Sequence, residues 1–491
     1  MKSFFKHTAP ALALLGLSLG SCKPDLESSP KSSAGQADFS RYVAVGNSLT
    51  AGFGDGGPGG LGGLSLEGQL ASYPNLLATQ FKAVGGGDFN QPLFNAATQF
   101  NGSGFLKLTG FDAAGNPQIG FESTNTATVA GSVAPGRNLL AKYTGPTNQN
   151  LGVPGIKVAD VTTQGYGFNN PLGFNPYFER MLPAGPAAGA SYLQYVTAQT
   201  AAVNPTFTTN WLGNNDVLGF AASGGAGDAL TPIAEFTTKY NQVVDVLTAN
   251  GAKGLVATIP AISTLPQFTT VPTAGVIAQI AATPISPAQR TALGTAYAQL
   301  GLDPLPANAR FGLYIRTSAT GAGAVREATA ADLILLGARS LINAPSTTSP
   351  FTGGVGLVVP GAPAAVAGAL AATANALPNG AVLDAGEVAD VAARTAAFNG
   401  IIVAAAARKG LAVFDTNLFF GQVVRSGIVN NAVSNTTAYL AGGLFSLDGV
   451  HPTPRGYAII TNEMIKSINS YYGAAVPGLD ATKYRGVKFP Q

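Results

Sequence analysis

Residues 41–52 have the sequence RYVAVGNSLTAG, and the fold can be worked out from this stretch outward. Residues 41–45 predict a short strand that runs directly into Gly46-Asn47-Ser48. A sharp turn from strand to helix at this point would expose the Ser48 hydroxyl at the carboxyl edge of a sheet, where ligands bind in open α/β folds. The stretch therefore predicts an α/β protein with a functional site after its first strand.

Strands and helices alternate along the rest of the chain. The further predicted elements are strands at 206–212, 254–259 and 411–414, and helices that begin at the capping residues Thr231, Asp384 and Thr453. Because parallel strands must be joined by crossover connections, this alternation predicts a mostly parallel central sheet with helices on both faces. The expected fold class is α/β, a three-layer α/β/α sandwich.

Two long insertions interrupt the alternation, one at about 53–149 and one at about 262–383. The first is rich in Gly, Asn and Thr. It predicts one short helix at 73–81 and a hairpin with strands at 106–111 and 118–121. Insertions of this length usually form lids, binding walls or surface decoration.

The second insertion is rich in Ala, Thr and Pro, and residues 329–343 predict a helical patch within it. Residues 340–383 carry no charge, but five prolines interrupt them, so they predict a loop-rich segment and not a membrane span. The Ala- and Val-rich part at 351–375 is suited to line an acyl-chain site.

The composition excludes several classes of protein. Charged residues make up only 10% of the 491 residues, against about 25% in typical soluble proteins. One cysteine cannot form an internal disulfide framework, and two histidines without cysteine partners cannot form a zinc finger. A net charge of +3 is too small for a nucleic-acid-binding surface, so no nucleic-acid partner is expected.

The N-terminus predicts export and lipidation. Residues 1–21 have the positive start and short apolar run of a signal peptide. Residues 19–22, LGSC, resemble a bacterial lipobox, in which cleavage leaves Cys22 as the lipid-modified first residue. Residues 22–40 are polar and rich in Ser, Gly and Pro, so they predict a lipid anchor followed by a flexible tether.

Removal of the signal changes the counts on which the chemistry depends. Two of the 27 basic residues leave with residues 1–21, so 25 basic and 24 acidic residues remain. His7 leaves as well, and His451 becomes the single histidine. The main domain is expected to span 41–475, followed by a C-terminal tail at 476–491.

Four short blocks carry the candidate chemistry. In chain order they are GNSLTAG at 46–52, NLGVPG at 150–155, GNND at 213–216 and DGVHP at 448–452. They resemble the SGNH (GDSL-type) hydrolase family, whose pattern is a serine in a G-D-S-L block, a glycine in a second block, an asparagine in G-x-N-D, and D-x-x-H near the C-terminus. The resemblance spans residues 41 to about 473.

This resemblance implies a role for each matching residue. Ser48 would be the nucleophile, His451 the general base, and Asp448 the group that orients the histidine. The backbone N–H groups of Ser48 and Gly155 and the side-chain amide of Asn215 would form the oxyanion hole. The reaction requires no metal and no organic cofactor.

The residues themselves favour the same chemistry. A serine hydroxyl is a poor nucleophile without a base within hydrogen-bond reach. His451 is the only histidine left after export, and Asp448 stands three residues before it, which is close enough to accept a hydrogen bond from Nδ1 while Nε2 faces Ser48. Asn47 stands where the family has aspartate; that position is not the nucleophile, so we expect the change to be tolerated.

The expected function is an exported, membrane-anchored serine ester hydrolase that forms an acyl-enzyme on Ser48. Its substrate would be an ester on an acyl lipid or an acylated glycan. Lys23 follows the lipidated cysteine where an aspartate would indicate inner-membrane retention, which favours the outer membrane. The alternative is a non-catalytic surface lipoprotein that binds a glycan or a protein partner, an idea motivated by Asn47 and by the size of the insertions.

Overall fold

The computed structural model describes residues 32–490, except for 58–61, 114, 132–137, 170–173, 185–187 and 318–323. The predicted signal peptide and Cys22 lie outside the described residues. The strands are β1 (Tyr42–Gly46), β2 (Phe105–Phe111), β3 (Pro117–Glu122), β4 (Thr128–Val129), β5 (Leu139–Leu140), β6 (Phe207–Trp211), β7 (Lys253–Ala257), β8 (Arg310–Arg316), β9 (Val325–Glu327), β10 (Leu333–Ile334), β11 (Val355–Val358), β12 (Val382–Leu383), β13 (Ala412–Phe414), β14 (Ile428–Asn430) and β15 (Val433–Asn435). The α-helices are α1 (Ser48–Ala51), α2 (Leu66–Ala71), α3 (Tyr73–Phe81), α4 (Pro176–Glu179), α5 (Tyr192–Val203), α6 (Asn215–Ala222), α7 (Ile233–Leu247), α8 (Pro266–Thr269), α9 (Thr273–Ala282), α10 (Pro287–Ala296), α11 (Ala364–Thr373), α12 (Ala385–Lys409), α13 (Thr416–Ser426) and α14 (Pro454–Tyr472).

A parallel sheet of four strands, in the order β1-β6-β7-β13, forms the centre of the structure. Residues 149–153 run parallel to β1 along its other edge, where the Leu151 amide donates to the Ala44 carbonyl at 2.8 Å. Helices separate the strands along the chain. The chain is therefore mixed α/β with a mostly parallel sheet, as the alternation of elements predicts.

The long helices pack on the sheet in two groups. In one group α7 contacts α5 and α12, and α12 also contacts α6 and β7. In the other group α14 contacts α2, α3, β7 and β13. Both groups belong to one hydrophobic cluster with the four strands. A single core therefore positions the loops that follow the carboxyl ends of the strands.

Aromatic side chains fix α3 to the sheet. Phe207 of β6 packs edge-on against Phe81, with ring centroids 5.5 Å apart, and Trp211 packs against Tyr73 at 5.7 Å. All four rings are buried, and each removes a large apolar area from water. Helix α3 is thus part of the main core. The predicted helix at 73–81 is therefore confirmed, and its apolar face covers the sheet, so this part of residues 53–149 is not surface decoration.

The capping residues predict two helix starts correctly and a third wrongly. Asp384 caps α12 in a capping box with Glu387, and Thr453 caps α14. Thr231 does not cap α7: the helix begins at Ile233 without a side-chain cap. The Thr231 hydroxyl donates instead to the Asp216 carboxylate at 2.8 Å. This tertiary hydrogen bond takes the place of the bond that the hydroxyl would make to an amide in the first turn of α7.

Helix α12 is long and apolar enough to cross a membrane by length and composition, and it is the only such helix among the described residues. Its buried side chains form one stripe that includes Val391, Phe398 and Ile402. That stripe packs against α7 and β7, as expected for the core helix of an α/β protein.

Most of residues 262–383 build a second hydrophobic cluster. Strands β11, β8 and β9 form an antiparallel sheet there, and α9 and α11 pack against it. Residues 340–383 are rich in loops, as their prolines predict, although β11, α11 and β12 lie within them. Prolines end these short elements without preventing them.

The predicted helical patch at 329–343 is also wrong. Its first part contains β10, and its second part is a short 3₁₀ helix at Leu336–Leu341. The Asp332 carboxylate accepts hydrogen bonds from the amide and the hydroxyl of Thr329, which closes a turn where a helix would have to begin.

Both ends of the described part of the chain, near residues 33–39 and 485, fold onto the domain. The predicted flexible tether at 22–40 is wrong for its described part, because the Gln36 amide donates to the Tyr472 carbonyl at 2.8 Å and Phe39 is buried against Phe81. In the predicted C-terminal tail, the Arg485 guanidinium forms a two-point ion pair with Glu67 at 2.6 and 2.7 Å. The amino-acid composition of these two segments does not predict that they pack on the domain.

Candidate active site

The backbone after β1 presents Ser48 as the first residue of α1. The Asn47 side-chain oxygen accepts a hydrogen bond from the Leu49 amide at 3.0 Å and so caps this short helix. Gly46 must be glycine, since a Cβ there would lie 1.9 Å from the Thr50 hydroxyl oxygen. This close packing fixes the turn from strand to helix, and it directs the Ser48 hydroxyl out of the carboxyl edge of the sheet.

Ser48, His451 and Asp448 form one continuous chain of hydrogen bonds. His451 Nε2 lies 2.8 Å from Ser48 Oγ, and His451 Nδ1 lies 2.8 Å from Asp448 Oδ2. Ser48 and His451 are 403 positions apart in the sequence. The structure therefore brings together the three residues that the resemblance assigns to the catalytic triad, in the order of contacts that a triad requires.

Hydrogen bonds hold Asp448 in its ionised form. Burial by itself would raise the pKa of this carboxyl group. The adjacent His451 imidazole and the backbone amides of Val450 and His451 outweigh burial and bring the pKa below its usual value. Asp448 is consequently a charged acceptor that can fix the Nδ1–H tautomer of His451 and stabilise an imidazolium.

The loop that carries Asp448 and His451 is a tight turn closed on itself. The Ser446 amide donates to the His451 carbonyl at 2.8 Å, and Gly449 has a positive φ of 69°. Gly449 also meets α8, because its carbonyl accepts from the Gln267 amide at 2.9 Å and a Cβ would lie 2.8 Å from that nitrogen. The backbone at Gln267 thus packs against the catalytic loop at Gly449.

The residues expected to form the oxyanion hole lie around the same cavity as Ser48. Gly155 has a φ of 84° in a turn that the Ile156 amide closes onto the Val153 carbonyl at 3.2 Å. This turn does not use the Gly155 amide for its closure. The Asn215 amide donates one hydrogen to the Ile156 carbonyl at 2.9 Å, which leaves a second hydrogen to point elsewhere.

Asp216 locks these two donors to each other. Its carboxylate, on α6, accepts from the Val158 amide at 2.7 Å and the Ala159 amide at 3.2 Å. Burial raises the pKa of Asp216 to about 6 in spite of these bonds. Asp216 of the GNND block therefore joins α6, which carries Asn215, to the short 3₁₀ helix at Val158–Asp160 that follows the Gly155 turn.

The cavity beside Ser48 and His451 has a volume of about 380 Å³, within the usual range for small-molecule sites. Its rim carries the ion pair between Lys157 and Asp228, whose side chains lie 2.6 Å apart. One wall comes from residues 53–149, namely Phe53, Gly62, Ser103, Thr128, Asn138 and Leu140.

The described residues that line the cavity include none from 262–383. The suggestion that residues 351–375 line an acyl-chain site is therefore wrong. Their apolar side chains, such as Leu357 and Leu370, are buried in the second cluster instead.

The surroundings of Asn47 explain why asparagine is suited to this position. The residue is fully buried, its oxygen caps α1, and its amide nitrogen has no hydrogen-bond partner among the described residues. A carboxylate could make the same cap, but it would add a second buried negative charge to a site that already holds ionised Asp448. Asparagine keeps the structural contact without that charge.

Sequence reasoning missed two residues that hydrogen-bond Asp448 and a third that bonds the same loop. The Ser446 hydroxyl donates to Asp448 Oδ1 at 3.0 Å, and the Gly56 amide donates to Asp448 Oδ2 at 2.9 Å. Asp55, next to Gly56, bonds the same loop through Leu447. The Asp55-Gly56 pair marks a turn in the sequence, but nothing local indicates that its partner lies about 390 positions away.

A comparison with models of known protein families gives no match to this chain, and a comparison with curated protein sequences gives none either. Within the described ranges, no group of three or more His, Cys, Asp or Glu side chains is arranged to hold a metal ion.

Proposed function

We propose that this protein is a serine ester hydrolase of the SGNH (GDSL-type) family. The observation that carries the proposal is the pair of 2.8 Å hydrogen bonds that joins Ser48 to His451 and His451 to Asp448. Such a chain supplies what serine chemistry needs, a hydroxyl next to a base whose tautomer a carboxylate fixes.

In the proposed reaction, Ser48 Oγ attacks the ester carbonyl carbon while His451 Nε2 takes the hydroxyl proton. The resulting oxyanion is held by the amides of Ser48 and Gly155 and by the Asn215 side chain. The carbon–alkoxide bond breaks, and the proton on His451 goes to the leaving alcohol. Water, deprotonated by His451, then attacks the acyl-enzyme, and Ser48 recovers its proton as the carboxylic acid leaves.

The arrangement of the sheet supports the family assignment. With residues 149–153 beside β1, the order across the sheet is 149–153, β1, β6, β7, β13. This is the 2-1-3-4-5 order of flavodoxin-like folds, whose ligands bind where the order reverses, between the first and third strands. Ser48 follows the first and Asn215 the third. We infer a three-layer sandwich, with the two helix groups on opposite faces and residues 262–383 inserted.

The compartment belongs to the same proposal. The LGSC run at 19–22 supports lipidation of Cys22 and export, and one or more acyl chains on that cysteine would anchor the protein to the cell envelope. The cavity volume of about 380 Å³ supports an acyl or sugar-sized substrate group. Acetylated sugars and p-nitrophenyl esters of increasing chain length, tested side by side, would separate a glycan deacetylase from a lipase.

Replacement of Ser48 tests the function directly. Ser48→Ala is expected to reduce hydrolysis of p-nitrophenyl acetate by about 10³-fold or more, because the nucleophile is lost while the oxyanion donors remain. Ser426→Ala, at the exposed end of α13, is the matched control and should keep full activity. A fluorophosphonate probe should label the wild type at Ser48 and label His451→Ala far more slowly.

Equal turnover by wild type and Ser48→Ala would overturn the proposal. Failure of the probe to label Ser48, together with retained binding of a glycan or protein, would favour the non-catalytic alternative instead.

A further inference from the structure

Two loops that meet at the triad exchange hydrogen bonds in both directions. Asp55 Oδ1 accepts from the Leu447 amide at 2.8 Å, and Asp448 Oδ2 accepts from the Gly56 amide at 2.9 Å. Each loop therefore offers one carboxylate and one amide to the other. We call these paired contacts the Asp55–Asp448 clasp.

Ser446 completes the clasp. Its hydroxyl oxygen accepts from the Asp55 amide at 2.9 Å, and its hydroxyl hydrogen goes to Asp448 Oδ1 at 3.0 Å. A single hydroxyl thus connects the backbone of one acidic residue to the side chain of the other. A displacement of Asp55 would be transmitted through Ser446 to the carboxylate that orients His451.

The backbone of Asp55 has an unusual conformation. Its φ of 56° lies in the left-handed region, which costs a residue with a side chain of order 1 kcal/mol or more. The carbonyl of the same residue accepts from the Leu106 amide at 2.7 Å, so β2 also depends on this position. Glycine would relieve the strain but would remove the carboxylate, and the chain keeps the carboxylate.

Charged and titratable groups surround this carboxylate. The groups that face Asp55 are Asp448 and His451 in the partner loop, Tyr439, whose hydroxyl bonds the Leu447 carbonyl, and the ion pair of Glu67 with Arg485. Burial, with a smaller contribution from the negative charge of Asp448, raises the pKa of Asp55 to about 6 against the opposing effect of the hydrogen bond from Leu447. Asp55 therefore changes charge in the range in which a histidine also titrates.

We propose that Asp55 is a positioning residue of the proposed hydrolase: through the Asp55–Asp448 clasp it holds the His451 loop in register with Ser48 and tunes the proton affinity of the triad. This inference rests on the proposed function. Asp55 is not among the described residues that line the cavity beside Ser48. It acts through Ser446 and Leu447 on Asp448, and through Asp448 on the imidazole.

Two substitutions at Asp55 separate geometry from charge. Asp55→Ala removes the acceptor for the Leu447 amide and should lower kcat for p-nitrophenyl acetate about ten- to a hundred-fold, with KM little changed, because misplacement of the base affects the transition state more than binding. Asp55→Asn keeps an oxygen at that place and should recover most of kcat.

The charge effect appears in the pH profile of Asp55→Asn. Loss of a negative charge near the imidazolium makes protonation of His451 less favourable. The acid limb of kcat/KM should therefore move to lower pH in Asp55→Asn relative to wild type. A residue with a merely structural role would leave that limb in place.

Two further variants keep the test decisive. Ser446→Ala removes only the bridging hydroxyl and should lower kcat with little change in Tm, so it reports on the clasp if Asp55→Ala does not fold. Asp332→Asn changes another buried carboxylate that accepts backbone amides, just before β10 and outside the clasp. It should lower Tm without changing kcat or the pH profile.

The possible results are distinct. If wild type hydrolyses the ester and labels with fluorophosphonate, while Asp55→Ala and Ser446→Ala keep its kcat and Asp55→Asn keeps its pH profile, the clasp has no positioning role and the proposal is overturned. If wild type itself neither hydrolyses nor labels, the proposed function fails first. A loss of kcat in Asp55→Ala that Asp55→Asn recovers, with a shifted acid limb, supports the proposal.

Discussion

In the proposed reaction a single imidazole moves every proton, so the pH dependence of this protein is a property of very few residues. His451 bonds Ser48 on one side and Asp448 on the other. Asp448 has a lowered pKa and stays ionised while the histidine titrates. The carboxylate therefore does not limit activity on the acid side of the profile.

Activity on a short ester should fall as the pH is lowered through the range in which imidazoles titrate, because protonated His451 cannot accept the proton of Ser48. The measurement is kcat/KM for p-nitrophenyl acetate between pH 4 and pH 8, with circular dichroism at each pH to show that the fold persists. Constant activity down to pH 4 in folded protein would contradict the assignment of His451 as base.

At the scale of elements, helix α14 connects core packing with the site. Its residues Tyr457, Ile460 and Met464 are buried in the main cluster, and its N-cap Thr453 stands two residues after His451. The Thr453 hydroxyl accepts from the Gly456 amide at 3.0 Å and donates to the Gly443 carbonyl at 2.6 Å. The same side chain thus ends the catalytic loop and starts the helix.

Loss of this cap should affect both stability and catalysis. Thr453→Ala is expected to lower the free energy of unfolding by about 1 kcal/mol and also to lower kcat, because the loop that carries His451 loses its fixed end. Asp384→Ala removes the cap of α12, far along the chain from the triad, and should cost a similar free energy with kcat unchanged. Urea unfolding and kcat on the same preparations provide the comparison, and equal kcat in both variants would contradict it.

On the scale of the whole molecule, His451 and the first described residues lie at opposite ends of α14. His451 lies just before the first turn of α14, whereas Ser33 pairs with Ala475 just after the last turn. A helix of 19 residues is about 28 Å long. If Cys22 carries the proposed anchor, we expect the catalytic residues to face away from the membrane, because the described chain begins at the other end of α14. An ester outside the anchoring bilayer is then the more accessible substrate.

Distance measurements on the lipidated protein in vesicles can check this orientation. A fluorophosphonate dye on Ser48 should be quenched weakly by spin-labelled lipids, because the helix separates it from the bilayer. A dye on Ser470→Cys, exposed near the other end of α14, should be quenched more strongly. Stronger quenching at Ser48 than at Ser470→Cys would show that the active site faces the anchoring membrane.

Much of the molecule follows from local signals in the sequence. The helix starts at Asp384 and Thr453, the hairpin of β2 and β3, and the four blocks that carry chemistry are all set by short-range effects such as capping, turns and strand–helix alternation. These effects depend on neighbours within a few residues, so a single chain displays them.

Tertiary structure decided the rest. Thr231 bonds Asp216 and does not cap α7. Residues 32–40 pack on the domain, although their composition predicts a flexible tether. Asp55 bonds Leu447, in the loop of Asp448, which is 392 positions away in the sequence. Such contacts depend on how crossovers and packed side chains place distant loops. That placement results from the sum of many weak interactions over the whole core, and no short stretch of sequence contains it.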